Sequence, residues 1–203
     1  MKTKIVLTVV IASVAIAAIA LAFRLRSDNG YRYPSTESDH YETGDVVFKG
    51  GFETEEQDHG RPVRLIAAAL GVESQVFRDA FSGVTPAHSM FGPTPSAARD
   101  NKKVLMDALG PYGITNERLD EVSDQYRYPP GPGYVWKHVP ACATAIVTDG
   151  KVTGFKLINA GSGYLTDPTV SVMGHESVKV KASVRFTQDF RTNGSIESLT
   201  VEP

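Results

Sequence analysis

"DGKVTGFKLINAGSGYLTDPTVSVMG" occupies Asp149–Gly174. It opens on Asp-Gly, a pair that tolerates the positive φ angles of a two-residue hairpin turn. The flanking "TAIVT" and "KVTGFKLI" alternate with period two, as half-buried strands do. They predict a hairpin with Ile146, Val152, Phe155 and Leu157 buried and an irregularity near Gly154. "PTVSVMG" reads as a third strand behind Pro168, where a missing N–H does no harm. "NAGSGYLTDP" between them reads as a corner. Gly161 and Gly163 would supply backbone angles that other residues resist, and Tyr164 would fold over the turn with its hydroxyl in water. A ligand loop is the competing reading of the same glycines.

Beyond this stretch, "SVKVKASVRFT" alternates through Val178, Val180, Ala182, Val184 and Phe186. A second hairpin is expected at Asn193-Gly194. "NGSIESLTV" also aligns with "DGKVTGFKL", turn to turn and apolar to apolar. Residues 129–203 therefore read as an antiparallel β domain with a degenerate repeat.

The period changes upstream. Pro62 suits a helix start and Gly71 a helix end, with the nearly all-apolar "VRLIAAAL" between them. A short helix over 73–81 follows, with Val76, Phe77, Ala80 and Phe81 on one face. Thr94 caps a helix beginning at Pro95, whose Ala97, Ala98, Val104, Leu105, Ala108 and Leu109 share a side; Gly110 stops it. Thr115 caps another, burying Leu119, Val122 and Tyr126, and Pro129-Pro130 ends the run. Residues 46–128 thus read as a helical domain of two helix pairs. The fold class expected is α+β, a small helical unit followed by an antiparallel β-rich unit. "LIAAALGVESQVFRDAF" also resembles a helix-turn-helix, but Val76 and Phe77 stand where its second helix would offer polar contacts.

Ile5–Phe23 is an uncharged run of 19 residues, preceded by Lys2 and Lys4 and followed by Arg24 and Arg26. As a helix it would match the hydrocarbon thickness of a bilayer. Residues 1–26 are therefore a signal-anchor, which the length and the two arginines favour, or a signal peptide cleaved after Ala22, which Ala20-Leu21-Ala22 favours. Either places the rest outside the cytoplasmic membrane, anchored through residues 5–23 or secreted. Residues 27–45 are polar and rich in turn formers, and read as a tether. Of the 203 residues, 21 are basic and 23 acidic; with four basic residues and no acid in 1–26, the remainder carries −6. That balance disfavours non-specific nucleic-acid binding. A single cysteine excludes a disulfide framework within the chain.

"DGKVTGFKLINAGSGYLTDPTVSVMG" resembles the short β-repeat of exported bacterial and phage proteins, in which a turn-glycine strand runs through Gly-Ser-Gly-Tyr into a Pro-x-Val strand. The order of segments over 46–203 is similar to uncharacterised exported bacterial proteins. The resemblance implies a surface or envelope setting and brings no activity, cofactor or catalytic residue with it.

Two clusters are candidates for function. "YRYPPGPGYVWKH" joins the halves, and its Tyr126, Arg127, Tyr128, Tyr134 and Trp136 are the residue types favoured at binding surfaces and equally at domain seams. "ETEEQDHGRP" gathers Glu53, Glu55, Glu56, Asp58 and His59; Glu55, Asp58 and His59 are its candidate metal ligands, though without a known motif spacing. His138 and Cys142 lack an evident orienting partner, and Cys142 reads as a small core residue. The sequence therefore points to a membrane-tethered or secreted, non-catalytic envelope module without a cofactor, binding a protein or glycan. The alternative is an extracytoplasmic hydrolase or metal-binding protein using Glu53–His59.

Overall fold

The computed structural model describes residues 31–32, 42–85, 94–129 and 133–203. The Ile5–Phe23 segment, most of the tether, His40 and His88 lie outside them. No helix among the described residues is long and apolar enough to cross a membrane.

The α+β expectation is met: four helices precede a β unit built on a six-stranded antiparallel, nearly closed sheet. The helices are α1 (Val63–Leu70), α2 (Ser74–Ser82), α3 (Pro95–Leu109) and α4 (Asn116–Tyr126). Their boundaries follow local chemistry. The Thr94 and Thr115 hydroxyls accept from the amides of Ala97 and Arg118, satisfying donors that a helix N-terminus leaves open. Gly71 closes α1 in the left-handed conformation. Helix α1 packs on α2 and α4, and α2 on α3. Five of the eight α1 residues are buried, with Leu65 wholly so. On α3 only Leu109 is buried; Ala98, Val104 and Ala108 face solvent, against the expected apolar side.

A short ribbon pairs β1 (Tyr31–Arg32) with β3 (Tyr134–Val135), so part of the expected tether is tied to the linker between the halves. The main sheet contains β2 (Asp45–Lys49), β4 (Cys142–Thr148), β5 (Lys151–Asn159), β6 (Thr169–Val172), β7 (Val180–Arg185) and β8 (Ser195–Val201), in the order β5-β4-β2-β6-β7-β8. The expected division at residue 128 therefore does not separate the sheet. Strand β2 precedes every helix in sequence, yet it sits between β4 and β6. Nor does the main core divide there: Leu65, Phe77, Leu109 and Val122 from the helices share one cluster with Trp136, Tyr164, Leu165 and Ile196.

The Asp149-Gly150 hairpin forms as predicted, with both residues at positive φ. Gly154 lies at a register shift: Ile146 faces Gly154 but Val147 faces Val152, leaving Thr153 as the extra residue. The same irregularity recurs between β7 and β8, where Ser183 faces Ser198 and Val184 faces Ile196. Thr153 and Glu197 hold equivalent places in the two aligned half-repeats, and the preceding Val152 and Ile196 are both buried. The two register shifts thus fall at matching places in the two aligned segments. Ile146, expected inside, is 50% exposed, because this end of the hairpin projects beyond the core. Cys142 is exposed as well, not a core residue.

Asn193-Gly194 is not a two-residue turn. β7 and β8 are joined by residues 186–194, and Asn193 is fully buried. Its Nδ2 donates to the Leu65 carbonyl and to Tyr126 Oη, both at 2.8 Å, while its Oδ1 accepts from Thr187 N at 3.1 Å. One side chain thereby links α1, α4 and the β7–β8 connection.

The Gly-Ser-Gly-Tyr stretch is the seam that nearly closes the sheet. Gly163 N and Tyr164 N donate to the carbonyls of Asn193 and Gly194, and Ile196 N donates to Ala160 O. On its other side Ser162 exchanges two backbone hydrogen bonds with Val139. A Cβ at Gly161 would lie 2.5 Å from the Val139 carbonyl oxygen, and one at Gly163 would lie 2.8 Å from His138 Cβ. Both glycines also have positive φ, so close approach and backbone angle demand glycine together. The Tyr164 hydroxyl does not reach water. It accepts from Ala141 N at 3.0 Å, and the residue is 4% exposed.

Candidate functional site

The aromatic linker divides between core and surface. Trp136 is 1% exposed, and its indole N–H donates to the Gly163 carbonyl at 2.8 Å. Phe52 and Tyr128 meet its ring edge to face, at 6.1 and 5.9 Å. Tyr126 is buried against Phe190, and burial pushes its phenol up to about 12, against the opposing pull of the Asn193 hydrogen bond and the Arg118 charge. Tyr134 is half-buried in the β1–β3 ribbon. Of the five residues proposed as a binding surface, Trp136 therefore packs the interior. Arg127 is exposed, and half-buried Tyr128 donates its hydroxyl hydrogen to the Gly60 carbonyl.

Three consecutive linker residues do meet at a concave site. Tyr126, Arg127 and Tyr128 line a cleft of about 360 Å³ with His59, Gly60 and Arg61. Ile66 of α1, Phe77 and Phe81 of α2, Leu105 of α3, and Leu119 and Val122 of α4 supply its apolar walls. Its size lies in the range of small-molecule sites. The polar groups sit at the rim. The Arg61 guanidinium lies 4.2 Å over the Phe81 ring and donates to the Asp58 carbonyl at 3.1 Å. Arg127 donates to Ser123 Oγ at 3.1 Å. Neither arginine is in an ion pair among the described residues, and no Asp or Glu lines the cleft.

The acidic segment is arranged differently. Asp58 is 4% exposed, and both its oxygens accept from Arg78, from Nε at 2.8 Å and Nη2 at 3.0 Å. Glu55 pairs with the same guanidinium at 3.0 Å. The two carboxylates together hold the Arg78 pKa well above its usual value. Glu53 turns away to accept from Gly51 N and the Thr166 hydroxyl. Exposed His59 has a left-handed backbone and faces the cleft. Among the described residues no group of three or more His, Cys, Asp or Glu is placed to hold a metal ion. Glu55, Asp58 and His59 are thus not gathered as ligands, because the half-buried Arg78 guanidinium engages both carboxylates. His138 and Cys142 are not gathered either: His138 is buried with its ring 4.7 Å from Phe52, whereas Cys142 is exposed. Burial holds the His138 imidazole below its ordinary pKa, opposed by its contact with the Trp136 carbonyl.

Of the residues that line this cleft, the sequence had singled out Tyr126, Arg127 and Tyr128 but not Arg61, which a strongly acidic neighbourhood concealed. It read Phe77 and Phe81 as ordinary core. The signal available was the Arg-Pro pair at 61–62, which starts α1 and leaves an arginine at its mouth. No protein-family model matches this chain, and no curated protein or solved structure is detectably similar to it.

Proposed function

We propose that this chain is a non-catalytic cell-envelope module, held at or secreted across the cytoplasmic membrane by residues 1–26, that binds its partner in the cleft between the helices. The observation that carries the binding reading is the cleft's division of labour. Its walls are apolar, and its rim holds two arginines whose charge no described carboxylate neutralises. Polar groups confined to the mouth of an apolar pocket orient a ligand. The alternative, a hydrolase or metalloprotein built on Glu53–His59, is weakened because Glu53, Asp58 and Glu55 are engaged with Thr166 and Arg78. The envelope assignment rests on the N-terminal sequence and on the resemblance of the β-repeat.

The test joins location to binding. A phosphatase active only outside the cytoplasm, fused after Pro203, is expected to be active with residues 1–26 present and inactive without them. Activity that ignores their removal rejects the envelope placement. Immobilised full-length chain is expected to retain a component of an envelope extract, and exposed Ser123→Trp at the rim should abolish retention while Lys151→Trp on the distant hairpin should not. Equal retention by both variants rejects the cleft.

A further inference from the structure

We infer that the occupant of the cleft is a small amphipathic anion, an unbranched alkyl chain lying on Phe77, Phe81 and Leu119 with a carboxylate head held between Arg61 and Arg127. This rests on the preceding reading that the cleft is a binding site, and it specifies the chemistry. The charge argument comes first. Both arginines line the cleft, neither has a carboxylate partner among the described residues, and no acid lines the walls. Arg61 is held in the lining by the Asp58 carbonyl and the Phe81 ring, which together leave N–H donors to spare. A guanidinium with spare donors matches a carboxylate better than any neutral head.

The walls select against a peptide. Ile66, Phe77, Leu105, Leu119 and Val122 are borne on helices whose backbone groups are spent within those helices. Pro62 has no N–H, and the Gly60 carbonyl already accepts from Tyr128. A peptide laid there would leave its amides without partners, a cost an alkyl chain does not carry. The volume of about 360 Å³ suits one chain rather than the two of a bilayer phospholipid.

The experiment is a calorimetric titration of full-length chain, held in discs of zwitterionic lipid, with octanoate, octylammonium and 1-octanol. Empty discs serve as the blank. Octanoate is expected to bind at least about tenfold more tightly than octylammonium, as charge-assisted pairing requires. The Arg61→Gln, Arg127→Gln double variant should bring the two within about twofold of each other. Equal binding of the anion and the cation by the unaltered chain, with Ser123→Trp still blocking both, would overturn the anion assignment and leave the cleft a binding site. Binding that Ser123→Trp leaves unchanged would sink the cleft reading itself. A loss of octanoate affinity in discs of anionic lipid would show a lipid headgroup competing at the rim, and would overturn the single-chain ligand.

Discussion

Asn193 offers the sharpest test of how the helices are joined to the sheet. It is fully buried, and its amide makes three hydrogen bonds, to Leu65, Tyr126 and Thr187. Asn193→Ala strands the Tyr126 hydroxyl and the Thr187 N–H and removes one acceptor contact from Leu65. At about 1–3 kcal/mol for each buried polar group left unpaired, and less for the half-buried Thr187, the loss should be roughly 3 kcal/mol. With a urea slope near 2 kcal/mol/M for a chain of this size, the midpoint should fall by about 1.5 M. Trp136, the only tryptophan and 1% exposed, reports the transition by its fluorescence. Asn193→Asp separates hydrogen bonding from volume. It keeps the shape but turns the donor facing the Leu65 carbonyl into an acceptor. Burial then favours the protonated carboxyl, so its folded pKa lies above the unfolded value of about 3.9. The folded chain binds the extra proton, and stability declines as pH rises from about 4 until the folded pKa is passed. Asn193→Asp should therefore be less stable relative to wild type at pH 7 than at pH 4. A midpoint shift below about 0.25 M for the alanine variant, corresponding to about 0.5 kcal/mol, would refute the account, because the amide would then contribute no more than an exposed one.

Three further outcomes follow from the same packing. Trp136→Ala removes a wholly buried indole and its bond to Gly163, and should cost about 3–5 kcal/mol by circular-dichroism melts; exposed Arg127→Ala should change the melt by less than about 0.5 kcal/mol. Gly163→Ala adds a Cβ 2.8 Å from His138 Cβ at a φ of 87°, and should lower stability by more than about 1 kcal/mol; an unchanged midpoint would show that the seam can relax. His138 has a folded pKa below its unfolded value of 6.5, so the unfolded chain takes up the proton first, and stability should fall as pH drops through about 6.5. A proton-NMR titration should place the His138 imidazole below 6.5, and a higher pKa would contradict its burial.

The sequence determined what neighbours in the chain can settle. Thr94-Pro95, Thr115 and Gly71 set helix ends because capping acts within one turn. Asp149-Gly150 set its hairpin because two residues hold the positive φ angles. Even the irregularity near Gly154 was legible, whereas its counterpart between β7 and β8 was seen only in the structure. Only the tertiary structure decided the long-range matters. "DVVFK" is five residues and alternates too briefly to announce itself, yet it lies inside the sheet because β4 and β6 offer both of its edges a partner. Asn193-Gly194 has the letters of a turn, but Asn193 turns inward because Leu65 and Tyr126, 128 and 67 residues away, supply an acceptor and a hydroxyl. Aromatic composition could not say which of Tyr126, Tyr128 and Trp136 would face a partner, since burial belongs to the packed surface and not to the residue type. The cleft itself joins residues 59–66, 77–81, 105 and 119–128, and became visible only when four helices brought them together.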